Sequence, residues 1–189
     1  MRKPAAATAV ATLLLAAAVS ALVLPKSRAT EGAVAAEPRT IWTEAAWPFP
    51  IDQWGRGKTF VCKAADCGAE VTLYIRAKIG FCNCATGVAD DEELDRISDF
   101  DLFGNQLTAI APGRPITVAW MKGRSRTFLI GGAERSGQSA LSIGFNDRCD
   151  AIIATAVVPH RRPTAVEPAV LDFLNSRTVL RWAEVTLGL

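Results

Sequence analysis

The chain has 189 residues, which is enough for one ordinary domain and too short for two comfortable ones. Half of its residues are hydrophobic and its formal net charge is +2. Because the sequence has no basic stripe interleaved with aromatic residues, its composition argues against a nucleic-acid partner.

The first two dozen residues predict membrane targeting. A basic start at Arg2 and Lys3 precedes residues 5–24, which contain no charged residue, and the small residues of Val19-Ser20-Ala21 supply a cleavage site. The same run is also about long enough to cross a bilayer as a helix, so the alternative is an uncleaved anchor. Either interpretation of residues 1–24 predicts export, with the domain in the periplasm or anchored in the inner membrane and facing the periplasm.

The region after this segment divides into a tether and one domain. Residues 25–40 are rich in Ala and Glu and contain two prolines, which predicts a flexible tether, and residues 41–189 form a single exported domain. At its start, Pro48 and Pro50 exclude a central strand or a helix interior. We therefore expect an extended segment laid over the core, anchored by the tryptophans Trp42, Trp47 and Trp54.

The hydrophobic pattern predicts an α+β fold, with a mostly antiparallel sheet of about five or six strands and helices packed on one side. The predicted strands are residues 58–62, 71–79, 116–121, 125–130, 140–145 and 151–158. Residues 63–68 are interpreted as a turn, and Lys122-Gly123-Arg124 as the turn of a hairpin.

Three helices are predicted after the first strands. Asp90 and Glu93 have the spacing of a capping box, which starts a helix with Leu94 on its apolar face. Pro168 indicates the first turn of a second helix. Residues 178–187 fit a helix or a strand about equally well, and a helix is favoured. The acidic residues of 90–101 and the basic residues that follow them indicate either a bipolar surface or, more simply, a helix start and a hairpin.

Three stretches resemble a set of exported bacterial proteins that carry no assigned activity. They are Trp47-Pro48-Phe49-Pro50, residues 81–91 with their Phe-Cys-Asn-Cys start, and Ala119-Trp120-Met121-Lys122-Gly123-Arg124. The resemblance covers about residues 41–130. It implies export and brings no catalytic residues with it.

Five cysteines are the most informative residues of the exported part: Cys62, Cys67, Cys82, Cys84 and Cys149. In an oxidising compartment cysteines usually pair, and an odd number leaves one free or linking two chains. Cys62 and Cys67 flank a predicted turn and can approach closely enough to pair. Cys82 and Cys84 point to the same face of an extended chain, and we expect Cys149 to pair with one of them. The prediction is two disulfides and one spare thiol.

Two functional alternatives use the same cysteines. The Cys82-Asn83-Cys84 pair could exchange disulfides with a third thiol, although it lacks the Cys-x-x-Cys spacing that lowers a thiol pKa. Alternatively, Cys62, Cys67, Cys82 and Cys84 could bind a soft metal such as zinc or cuprous copper. Their spacing is not the usual arrangement for such a site.

Other catalytic arrangements are missing from the sequence. His160 is the only histidine, which excludes a multi-histidine metal centre, and it is interpreted as part of a solvated basic turn. The chain has no Gly-x-Ser-x-Gly elbow, and the glycine-rich residues 131–137 lack the lysine of a phosphate loop. We therefore expect no cofactor.

These observations favour a non-enzymatic exported domain that binds or scaffolds at the cell envelope. Its expected partners are the membrane, through an uncleaved N-terminal segment, and an envelope protein. Exposed Trp and Arg are enriched at contact centres, so the predicted contact surface is Trp47, Trp120, Lys122, Arg124 and Arg126. The alternative for the tryptophans is that they fill the core. The second function hypothesis is a thiol-based redox or soft-metal-handling protein that uses Cys82 and Cys84.

Overall fold

The computed structural model describes residues 41–104, 107–132, 137–159 and 163–189. This part of the chain forms one eight-stranded antiparallel sheet with four α-helices. The predicted α+β class and antiparallel sheet are confirmed, whereas five or six strands is too low. The predicted targeting segment 1–24, the tether 25–40 and His160 lie outside the described residues.

The strands follow the order β1-β2-β3-β8-β7-β6-β4 across the sheet, and β5 also pairs with β6. They are β1 (Trp42–Ala45), β2 (Lys58–Cys62), β3 (Val71–Lys78), β4 (Leu107–Ala109), β5 (Arg114–Val118), β6 (Met121–Ile130), β7 (Gln138–Asp147) and β8 (Asp150–Pro159). The sequence pattern missed β1 and β4, which have four and three residues and are too short to show alternation. In agreement with its prolines, the segment that contains β1 forms an edge strand rather than a central one.

Helices cover both faces of the sheet. On the first face lie α3 (Pro163–Leu174), which packs on β8 residues such as Ala154 and Ala156, and α4 (Arg177–Leu187), which packs on β3. On the second face, α2 (Asp91–Ile97) packs against Ile153. The predicted one-sided arrangement is therefore wrong. The central residues of β7 and β8 are buried on both faces of the sheet, and such strands need cover on both sides.

The hairpin between β5 and β6 turns earlier than predicted. Val118 pairs with Met121, so the turn lies at Ala119 and Trp120, and Gly123 lies inside β6. A side chain at Gly123 would lie 2.1 Å from the carbonyl oxygen of Gly144 on the neighbouring strand. Glycine is therefore required here by close strand packing and not by a turn.

The helix boundaries differ from prediction at two places. Helix α3 begins at Pro163, which suits the first turn, whereas Pro168 lies inside the helix. Residues 63–68 contain a one-turn helix, α1 (Ala64–Cys67), which ends at Gly68 with a positive φ of 73°. The favoured helix over residues 178–187 is confirmed as α4.

Helix α2 begins after Asp90 as predicted, but only one of the two hydrogen bonds of the expected capping box forms. The Asp90 carboxylate accepts a hydrogen bond from the Glu93 backbone N–H at 2.8 Å. The Glu93 side chain instead accepts hydrogen bonds from the Asn83 backbone N–H and from Arg96. Glu93 therefore ties the helix to the loop that carries Cys82 and Cys84.

Candidate functional site

Two carboxylates of the acidic run pair with two arginines of the basic run at partly buried positions. Arg124 and Arg126 project from β6 on the second face, beneath α2. Arg124 contacts Asp91, and Arg126 donates to Asp95 at 2.5 Å. Against the opposing effect of burial, the Gly113 N–H and Arg124 hold the pKa of Asp91 below its ordinary value. These four charges therefore form ion pairs between α2 and β6, which argues against the bipolar surface that was one alternative.

A second charge cluster lies deeper on the same face. The buried side chain of Arg76 donates from Nε to Asp99 at 3.1 Å and from a terminal nitrogen to Asp52 at 2.6 Å. The Lys78 ammonium lies 2.9 Å from the same Asp99 carboxylate. The sequence analysis did not single out these residues, although two basic residues at alternate positions near the end of a β-rich strand are a signal. The internal pairing gives them a structural role.

Aromatic rings close this buried cluster. The Arg76 guanidinium lies 5.8 Å from the Trp47 ring centroid, and Lys78 lies 5.5 Å from Trp54 and from Phe81. On the opposite face, Trp42 stacks on Phe173 at 4.9 Å. The three tryptophans therefore anchor their segment to the core, as expected.

The predicted contact surface is not one surface in the structure. Trp120 is 51 % exposed at the β5–β6 turn and Lys122 is exposed, but Arg124 and Arg126 are occupied by the carboxylates of α2. Trp47 packs edge-on against Tyr74 of β3, and two further strands, β8 and β7, separate β3 from β6. Neighbouring strands lie about 4.8 Å apart, so the two halves of the predicted surface are well separated.

The cysteines form two pairs at disulfide distance. Cys62 pairs with Cys67 across five residues, and Cys84 pairs with Cys149 across sixty-five, with α-carbons 6.1 Å and 4.2 Å apart. The free cysteine is Cys82, which is buried. Cys149 lies in the two-residue turn between β7 and β8, as the sequence indicated. Such pairs are compatible with an oxidising, exported location.

The four cysteines of the metal alternative do not meet. Cys62 and Cys84 belong to different pairs, which use their sulfurs in disulfide bonds. Among the described residues, no group of three or more His, Cys, Asp and Glu side chains is arranged to hold a metal ion. The cysteine geometry thus favours cross-linking over a four-sulfur centre.

An open groove lies on the first face, between α4 and the strand edge formed by β1 and β2. It has a volume of about 300 Å³ and its apolar lining comes from Phe60, Ile75, Val179, Trp182 and Val185. A second cavity of about 370 Å³ shares Glu44, Lys58 and Trp182 with it and extends to Trp47 and Arg56. Sequence analysis missed this site because a groove depends on how α4 packs, and its residues are far apart in the chain.

The groove borders an unpaired strand edge. Strand β1 is the first strand of the sheet and hydrogen-bonds to β2 on one side, so within the described residues its other side is open. Glu44 of β1 pairs with Phe60 of β2, and both line the groove. The rim therefore combines free backbone groups with an apolar floor.

Comparison with known proteins gives no match: no protein-family model, no curated protein and no solved structure is significantly similar to this chain. The resemblance to exported bacterial proteins stays a prediction. No helix of the described residues is long and apolar enough to cross a membrane.

Proposed function

We propose that the chain is an exported, non-enzymatic binding domain of the cell envelope, and that its binding site is the groove between α4 and β1. The observation that carries the proposal is the coincidence of an apolar groove with an open strand edge. Binding sites for small molecules and peptide side chains are concave and mostly apolar with a few polar groups, as this groove is. The two disulfides suit the oxidising compartment in which such a domain would work.

The proposed occupant is an extended segment of a partner protein. An extended peptide can add to a sheet edge by backbone hydrogen bonds, while alternate side chains enter neighbouring pockets. Alternate residues of a strand beside β1 would lie on the same face as Glu44, next to the groove. Backbone pairing would supply affinity, and the apolar floor around Trp182 would select a bulky apolar side chain.

Charge favours an acidic segment. The lining residues of the two cavities include three cations, Arg56, Lys58 and Arg181, and one carboxylate, Glu44. Lys58 pairs with Glu44, whereas Arg181 is largely exposed and its contact with Glu184 is long, at 3.7 Å. Exposed pairs of this kind are weak, so Arg56 and Arg181 can turn to a carboxylate of the partner.

Fluorescence anisotropy with two labelled pentapeptides tests the proposal. One peptide is Asp-Val-Val-Val-Asp and the other is Lys-Val-Val-Val-Lys, so that in a strand the central valine and both charged residues share one face. The aspartate peptide should bind and the lysine peptide should bind severalfold more weakly. Equal binding of both would contradict the charge argument, and no binding of either would contradict the proposed site.

A matched pair of tryptophan variants locates the binding. Trp182→Ala should weaken binding of the aspartate peptide by about 30-fold, the effect of truncating a hot-spot residue worth ~2 kcal/mol. Trp120→Ala, at an exposed turn that does not line the groove, should leave binding unchanged. Because Trp182 also packs on the core, Arg56→Glu serves as a surface variant that removes charge complementarity without disturbing packing. The reverse order of the two tryptophan effects would place the binding at the hairpin.

A further inference from the structure

The loop before α2 places a third sulfur beside a disulfide, and none of these cysteines lines the groove. The backbone N–H of Cys82 donates to the carbonyl oxygen of Cys149 at 3.1 Å. The Cys82 Sγ donates to the carbonyl oxygen of Arg148 at 3.3 Å, and Arg148 directly precedes Cys149 in the chain. Cys149 therefore contacts two cysteine-bearing positions, Cys84 through its disulfide and Cys82 through its backbone.

Both positions are within bonding reach of Cys149. The single backbone N–H···O bond of 3.1 Å, together with standard bond lengths, holds the α-carbons of Cys82 and Cys149 within roughly 7 Å of each other. A disulfide accommodates α-carbon separations of about 4.4–6.8 Å. A bond between Cys82 and Cys149 would thus require little backbone movement.

The two alternative partners differ in exposure. Cys84 is exposed, whereas Cys82 is 6 % exposed and packs in the small core under α2. Phe81 packs on the same core, and its ring centroid lies 4.6 Å from that of Trp54. The two rings therefore cover the core that contains Cys82. Solvent reagents therefore reach Cys84 far more easily than Cys82.

We propose that Cys82, Cys84 and Cys149 form a thiol–disulfide exchange site in which Cys149 bonds alternately to Cys84 and to Cys82. Cys82 loses its proton, and its thiolate attacks the Sγ of Cys149. The Cys82–Cys149 bond forms while the Cys84–Cys149 bond breaks, and Cys84 leaves as a thiolate that takes up a proton. One disulfide and one thiol are present before and after, so the step needs no external oxidant or reductant.

The product presents a thiol at an exposed position. A thiolate released at Cys84 can react with electrophiles and with small disulfides that cannot enter the core around Cys82. The site would therefore convert a buried, protected thiol into a surface nucleophile. This activity is independent of the proposed binding groove.

The surroundings of Cys82 set the pH dependence of the exchange. Burial raises the pKa of the Cys82 thiol, and the carboxylates of Glu93 on α2 and Asp150 on β8 raise it further, while Arg96 on α2 opposes them. The attacking thiolate is thus a small fraction at neutral pH. Below that pKa, the thiolate fraction rises about tenfold per pH unit, and the exchange should accelerate by the same factor.

Alkylation of the native, non-reduced protein with excess iodoacetamide, followed by disulfide mapping, tests the exchange. The label should accumulate on Cys84 together with a new Cys82–Cys149 cross-link. The rate of labelling should rise about tenfold for each unit by which the pH is raised, below the pKa of Cys82. The Cys82→Ser variant should stay unlabelled, and the Cys62–Cys67 disulfide should remain intact as an internal control. Label on Cys82 with the Cys84–Cys149 bond intact, or no label at all, would overturn the proposal.

The Cys84→Ser variant gives a second, independent readout. Folded under oxidising conditions, it should contain a Cys82–Cys149 disulfide, since Cys149 has lost its competing partner. Two free thiols beside an oxidised Cys62–Cys67 pair would refute the exchange geometry. A variant that fails to fold would also count against it, because the alternative bond should join the same two loops.

Discussion

Neutralising Asp99 should be among the most damaging single changes outside the apolar core. The Asp99 carboxylate accepts from Arg76 at 3.1 Å and lies 2.9 Å from the Lys78 ammonium. All three side chains are nearly inaccessible to solvent. Asp99→Asn keeps the shape but removes the carboxylate that pairs with buried Lys78, and it leaves buried Arg76 with the more exposed Asp52. Breaking a buried pair in this way costs about 3–5 kcal/mol, a large part of the usual ~5–15 kcal/mol of total stability.

Urea unfolding followed by circular dichroism measures this loss. Asp52→Asn is the matched control, because Asp52 contacts the same Arg76 but its side chain is 35 % exposed. The control should cost about 1 kcal/mol or less, since solvent replaces an exposed partner. Equal and small losses in both variants would show that water reaches the Arg76 cluster and would refute the reasoning.

Three further predictions concern the α2 layer and the disulfides. Asp90→Ala should destabilise the domain by about 0.5–2 kcal/mol through loss of the helix cap, and an unchanged urea midpoint would contradict this. The depressed pKa of Asp91 means that the unfolded chain binds the proton more readily. Stability should therefore fall as pH drops below about 4, less steeply in Asp91→Asn, as thermal unfolding across pH would show. Cys149→Ser should cost about 2 kcal/mol more than Cys67→Ser, because it opens a loop of 65 rather than 5 residues, and equal losses would contradict the assignment.

The sequence predicted those parts of the fold whose signals are local. Strands β3, β7 and β8 are eight to ten residues long and rich in apolar residues, so their pattern is visible without tertiary information. The same holds for the Asp90 cap, which depends on a backbone N–H three residues away. The turn that carries Cys149 was likewise found from its neighbours in the chain.

The remaining features depend on contacts between distant segments. The Gly123 position reflects the approach of β7 and not a turn, and only the strand pairing reveals it. Arg124 looked like a free surface cation because its partner Asp91 lies 33 residues away. The groove beside Trp182 arises from the docking of α4 on the sheet and has no local sequence signature.

Amide hydrogen exchange of β1, measured by NMR with and without the valine–aspartate peptide, tests the proposed binding site most directly. If an extended segment adds to the sheet, β1 amides (Trp42–Ala45) that are not bonded to β2 should become protected, and the Trp182 indole signal should shift. Unchanged β1 exchange, with peptide-induced shifts confined to the turn at Trp120, would contradict the account.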